Sequence, residues 1–202
     1  LADLREQDPN TFVALALGAV RDPNVPAPRR QLACTVLRPA LVKEYKGATE
    51  GAPATYFWDK LTAQVQGGVT SELLKALEAE TENSVLRKLY DMISDLCSFL
   101  DARNVTWSDL FATLFRMTSS ERDQHRERAF EIFAQLPVLI GIEKFRPNLE
   151  TIRGIIVRGL TDPKSFSVRL AALEAVTAFL QMMEEADAAH LNAFRACIQP
   201  ML

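Results

Sequence analysis

Histidine and cysteine are scarce in this chain: two and three residues among 202. Cys34, Cys97 and Cys197 sit apart in amphipathic stretches with no CxxC spacing, and neither His125 nor His190 has a second histidine or a cysteine at zinc-ligand spacing. A zinc module or disulfide framework is therefore not expected, and the thiols read as small buried hydrophobes in a reducing compartment. That compartment also argues against modification of the Asn104-Val105-Thr106 sequon. Glycine is sparse as well, and GxxxxGK[ST], GxGxxG and GxSxG are all missing, so no phosphate cradle or nucleophile elbow marks an enzyme and no cofactor is expected. No run of eighteen apolar residues occurs, and the opening LADLREQDPN lacks the order of a secretory signal. Membrane insertion is thus not expected. A preponderance of one charge is also lacking: 23 basic against 26 acidic residues give a net charge of −3, with no lysine or arginine run to attract nucleic acid directly.

What the chain has is a recurring helical phrase. RQLACTVL begins at Arg30, LRKLYDMI at Leu86, RERAFEIF at Arg126 and RLAALEAV at Arg169. Aligned on their fourth residues (Ala33, Leu89, Ala129 and Ala172), the copies are spaced by 56, 40 and 43 residues. Spacings near forty indicate two-helix units of the HEAT or armadillo kind, which usually present long faces to other macromolecules. The expected fold is all-α: an α-α superhelix, or HEAT-repeat solenoid, of about four complete helix pairs with partial repeats at both ends.

Periodicity and turn residues divide this single solenoid, residues 1–202. Residues 1–7 read as the end of one repeat, 9–43, 54–101, 105–139 and 145–184 as helix pairs, and 188–202 as the start of another. Both ends fall within helical patterns, as expected of a piece excised from a longer array. Asp8-Pro9 opens the first clear helix and Asp22-Pro23-Asn24 closes it; the segment Gly47 to Pro53 reads as a longer loop that accounts for the first spacing. From Ala54 a long helix is expected through Phe57, Trp58, Leu61 and Leu77, with a bend or break at Gly67-Gly68. Pro137 and Gly141 should end the following inner helix, and Phe145-Arg146-Pro147 should start an outer one. No strands are expected.

Five places after the phrase begins lie Thr35, Asp91, Glu131 and Glu174, with Asp95 and Gln135 one turn beyond two of them. Stacked inner helices would align these as a polar, acidic column. A solvated helix face explains such residues too; the functional reading is that Asp91, Asp95, Glu131, Gln135 and Glu174 receive basic groups of a partner. Arg30, Arg126 and Arg169 are expected to serve as structural donors to turn carbonyls and to acids of neighbouring repeats. The second copy has Leu86 at that position, so the ladder is not expected to be complete. Phe145, Ile152 and Phe194 read as core, with a groove for aromatic side chains as the alternative.

Three segments carry a family likeness: Arg29 to Leu41, the Glu80-Thr81-Glu82-Asn83-Ser84 lead into Leu86-Arg87-Lys88, and RERAFEIFAQLPVLIG from Arg126 to Gly141. They resemble the amino-terminal part of importin-beta superfamily receptors, the karyopherins, and within them the importin-five branch. The resemblance implies a nuclear transport receptor that shuttles between cytoplasm and nucleus. It further implies binding of Ran-GTP through amino-terminal HEAT repeats, along with contacts to phenylalanine-glycine nucleoporins and to cargo proteins bearing nuclear localisation signals. A non-transport HEAT scaffold for complex assembly is the other reading of the same helices.

Overall fold

The computed structural model describes residues 2–45, 54–183 and 188–198. The expected Gly47–Pro53 loop, the residue at position 1, the end of the last inner helix at Glu184 and the stretch 199–202 lie outside the described residues. The chain forms two compact units, Leu1–Trp107 and Ser108–Leu202.

The first unit contains α1 (Ala2–Gln7), α2 (Pro9–Arg21), α3 (Ala27–Leu41), α4 (Ala63–Ala79) and α5 (Asn83–Ala102). Asp8 starts α2 by accepting from the Thr11 backbone N–H at 3.1 Å and the Thr11 hydroxyl at 2.6 Å, with Pro9 at the first helical position where its missing N–H costs nothing. Helix α2 packs on α3 and on α4, α3 on α5, and α4 on α5. First helices therefore neighbour first helices and second helices neighbour second helices, the relation that stacks one repeat on the next. Buried Phe12, Leu37, Leu41, Leu73, Leu77, Leu86, Leu89 and Ile93 fill the space between them.

The structure departs from expectation at three points here. Thr55–Tyr56 forms a short antiparallel strand (β2) with Glu44–Tyr45 (β1), extended by the Phe57 N–H donating to the Lys43 carbonyl at 2.8 Å. Phe57–Lys60 is then a 3₁₀ turn, and α4 begins only at Ala63, after Thr62 accepts from the Val65 N–H. Phe57 and Trp58 have helical spacing with Leu61 but gain their burial from the turn, where Phe57 meets Phe12 edge to face at 6.0 Å. Of the bend or break expected at Gly67-Gly68, no break occurs: α4 is one helix through both glycines. Packing against α2 and α5 outweighs the weak propensity of two glycines.

The second unit contains α6 (Ser108–Met117), α7 (Asp123–Ile140), α8 (Leu149–Leu160), α9 (Phe166–Met182) and α10 (Ala188–Ile198). Helix α7 packs on α6, α8 and α9; α8 packs on α9, and α10 rests on both α8 and α9. Ser165 caps α9, its hydroxyl accepting from the Val168 N–H at 3.3 Å. Pro137 does not end α7, which continues to Ile140 and stops at Gly141, whose φ of 81° suits glycine. Phe145-Arg146-Pro147 belongs to a 3₁₀ segment, Ile142–Asn148, and α8 starts at Leu149. Phe145 and Ile152 are each 1% exposed and Phe194 is 0% exposed, so these three are core and leave no groove. Phe145 packs edge to face on Phe179 at 5.1 Å, and Phe179 stacks on Phe194.

Candidate partner-binding face

Helices α3, α5, α7 and α9 carry the four copies of the phrase, and every polar column residue lies on an accessible side of its helix. Thr35, Gln135 and Glu174 are exposed, while Asp91, Asp95 and Glu131 are half-buried. Thr35 turns its hydroxyl back to the Gln31 carbonyl, 2.8 Å away, and so contributes little to a surface of charge.

In the first unit, Asp91 and Asp95 stand one turn apart on α5 and are drawn together by a residue absent from the sequence reading. Arg38 of α3 places its Nη1 3.0 Å from Asp91 and donates from Nε to Asp95 at 2.6 Å. One cation thus offsets part of two carboxylate charges, and the cluster keeps one net negative charge. Arg38 lies eight residues beyond Arg30, outside the aligned phrase, so repeat alignment gave no signal for it.

In the second unit, Glu131 and Gln135 share a side of α7, and Glu174 lies on α9, against which α7 packs. Glu131 accepts from Arg128 at 2.5 Å, a contact within the same helix. Burial pushes the Glu127 carboxyl above its ordinary value; Glu131 and Asp123 push the same way, against Arg128. The surface here is therefore acidic, with Glu131 paired inside its own helix and Glu174 exposed. It can receive a cation that approaches from solvent, and it holds no nucleophile or acid–base pair. No group of three or more metal-ligating side chains occurs among the described residues, and no described helix is long and apolar enough to cross a membrane.

The arginines that open the phrases do something different. Arg30 is buried and donates to Glu80 at 3.1 Å, and the same Glu80 oxygen accepts the Thr81 and Glu82 backbone N–H groups. Arg126 donates from Nε to Asp162 at 2.8 Å and from Nη1 to the Ser120 and Glu121 carbonyls. The other Asp162 oxygen accepts from the Lys164 and Ser165 backbones, and Arg169 donates to the Asp162 carbonyl at 2.7 Å. In both units, a first-turn arginine of one second helix is tied to the turn that precedes the next second helix.

Paired helices in repeats of about forty residues, tied through turn carboxylates, define an all-α HEAT-type architecture. Solved karyopherins share it. A Kap121p mutant is 18% identical with a TM-score of 0.72, the match covering 98% of this chain and 17% of that one. Kap121p bound to Nup53p is 20% identical with a TM-score of 0.71 over 96% of this chain and 17% of that chain. Kap95p, whose binding induces the switch loops of RanGDP to adopt the GTP-bound conformation, is 17% identical with a TM-score of 0.75 over 98% of this chain and 23% of its own. At these identities the likeness is one of fold, and the chain spans less than a quarter of each relative. The family described as IPO5-like, TPR repeats matches residues 81–202, and the chain belongs to that importin-5-like family.

Proposed function

We propose that these repeats form part of a nuclear import receptor, and that Asp91 and Asp95 in the first unit and Glu131, Gln135 and Glu174 in the second each receive basic groups of Ran-GTP. The observation that carries this reading is the recurrence of accessible acids at equivalent positions of α5, α7 and α9, in a chain of importin-5-like family. Acidic residues on successive second helices match a partner's basic surface, raising association rate and selectivity. Solved relatives support the partner classes: Kap95p is seen with Ran, and Kap121p with Nup53p and with Pho4p. On this reading the whole receptor shuttles between cytoplasm and nucleus, meeting phenylalanine-glycine nucleoporins and cargo proteins with nuclear localisation signals. Its work is binding, without chemistry.

The test is binding of the chain to Ran loaded with GTP or GDP at about 0.15 M salt, where exposed charges are screened as in the cell. Preference for the GTP form is expected, and Asp91→Lys with Glu131→Lys should weaken it without loss of helicity. Equal affinity for both nucleotide states, unaltered by the double reversal, would overturn the reading. That outcome would favour a HEAT scaffold indifferent to Ran, a reading to which the neutralising contacts of Arg38 and Arg128 lend weight.

A further inference from the structure

A cleft of about 290 Å³ opens in the second unit between the α6–α7 turn and the α8–α9 turn. Its lining includes Ser119, Ser120, Arg126, Arg158, Asp162 and Lys164. The charges in it are unequally engaged. Arg126 and Asp162 satisfy each other, and the remaining Asp162 oxygen is taken by two backbone N–H groups, so this carboxylate offers little repulsion to an incoming anion. Arg158 and Lys164 are exposed, and neither side chain makes an ion pair or hydrogen bond among the described residues. The Ser119 hydroxyl is likewise exposed and unengaged among the described residues. Glu121, the other acid of the lining, is exposed and free to stay in water.

We propose that this cleft is an anion site, and that it takes the phosphate of a phosphorylated serine or threonine on a partner's peptide. Arg158 and Lys164 supply the charge and Ser119 a hydroxyl donor. Two exposed cations and a hydroxyl in the lining of one cleft suit a dianion with three acceptor oxygens better than a carboxylate with one charge and two oxygens. A peptide is favoured over nucleic acid because the chain carries a net charge of −3 and has no extended basic run to follow a polyanion. The cleft uses none of the residues of the Ran-binding proposal, so either proposal can fail alone.

The test is a titration of the isotopically labelled 202-residue chain with three short glycine-serine peptides, differing only in a central phosphoserine, serine or glutamate. Backbone amide shifts at 118–121 and 162–165 report on the cleft. The phosphopeptide should move these amides and bind about tenfold more tightly than the glutamate peptide, as charge-assisted bonds to a dianion require. Arg158→Gln with Lys164→Gln should remove that preference while leaving the melting temperature unchanged, because neither side chain has a partner to lose. Absent shifts, or equal phosphopeptide affinity in the double variant, would sink the proposal. Inorganic phosphate binding as tightly as the phosphopeptide would reduce the cleft to a site for an adventitious ion only, and tighter binding of single-stranded DNA would overturn the choice of partner.

Discussion

Arg126 and Asp162 lie 36 residues apart in sequence and 2.8 Å apart in space, and both side chains are about nine-tenths buried. Burial pushes the Asp162 carboxyl up, but hydrogen bonds from Arg126, Lys164 and Ser165, with the guanidinium charge, outweigh it and hold the group below its ordinary value of 3.8. A carboxylate depressed by folding adds stability that is fully present above its unfolded value and lost as pH falls through the folded one. The contribution should therefore persist at pH 6 and fade from about 4 downward. Urea midpoints measured from pH 6 to pH 2 should fall less steeply for Asp162→Asn than for the parent. Asp162→Ala should cost about 3–5 kcal/mol at neutral pH, because it strands a buried guanidinium and two turn amides. An equal acid slope in parent and Asn variant would show that the pair carries no linkage.

Gly159 tests the packing beneath that turn. A Cβ placed there would stand 2.6 Å from Phe130 Cε2 and 2.8 Å from the Ala172 Cβ, and the Phe130 ring is 1% exposed. Helix α8 thus approaches α7 and α9 through a position that admits only hydrogen. Gly159→Ala should destabilise by about 1–3 kcal/mol despite alanine's better helix propensity. Phe130→Leu should recover part of the loss in a double-mutant cycle, since it shortens the group that clashes. Additive losses would mean that the strain resides in the backbone. Gly67 of α4 is the contrast: it is exposed and meets nothing within 4 Å, so Gly67→Ala should stabilise by about 0.4–1 kcal/mol.

The sequence foretold the features that depend on local order. Asp8-Pro9 and the stripe around Ala172 declare helices because caps and 3.6-residue periodicity act within a few residues. The β1–β2 pairing escaped because each strand has two residues, and its register depends on Lys43 meeting Phe57 across a connection that periodicity does not specify. Pro137 is a related case: proline removes one helical hydrogen bond, yet the packing of Phe133, Leu136 and Ile140 carries α7 on to Gly141. At the candidate sites, repeat alignment singles out Asp91, Glu131 and Glu174. The pairing of Arg38 with Asp91 and Asp95 does not follow from it, because the choice between solvent and neighbour is made only when α3 packs on α5.

The cysteines offer a measure of local opening. Burial, reinforced by the Glu80 charge, pushes the Cys34 thiol up to about 11; burial, with Asp101, pushes Cys97 up to about 12. Thiolate is the reacting form, so both should resist an aromatic disulfide reagent at pH 8 until their helices open. Cys197 is only partly buried and should be titrated first. Adding urea below the unfolding midpoint should leave Cys34 and Cys97 protected if α3 and α5 open together with the rest of their unit. Fast labelling of either thiol in native buffer would show that the α3–α5 contact opens on its own.

Arg38 separates stability from recognition. All three side chains in its cluster are more than one-third exposed, so Arg38→Gln should cost under about 1 kcal/mol in urea unfolding. The same change leaves Asp91 and Asp95 uncompensated one turn apart, where like charges repel by only a few tenths of a kcal/mol, about 0.2–0.5. The local potential becomes more negative at little structural cost. If the face receives basic groups of Ran-GTP, the variant should associate faster than the parent, with a steeper dependence on salt, while its dissociation rate changes less. Stopped-flow association at about 0.05 M and 0.15 M salt would measure this, since the screening length shortens between the two. Slower association would instead make Arg38 a direct donor to the partner, and the acidic pair on α5 its anchor.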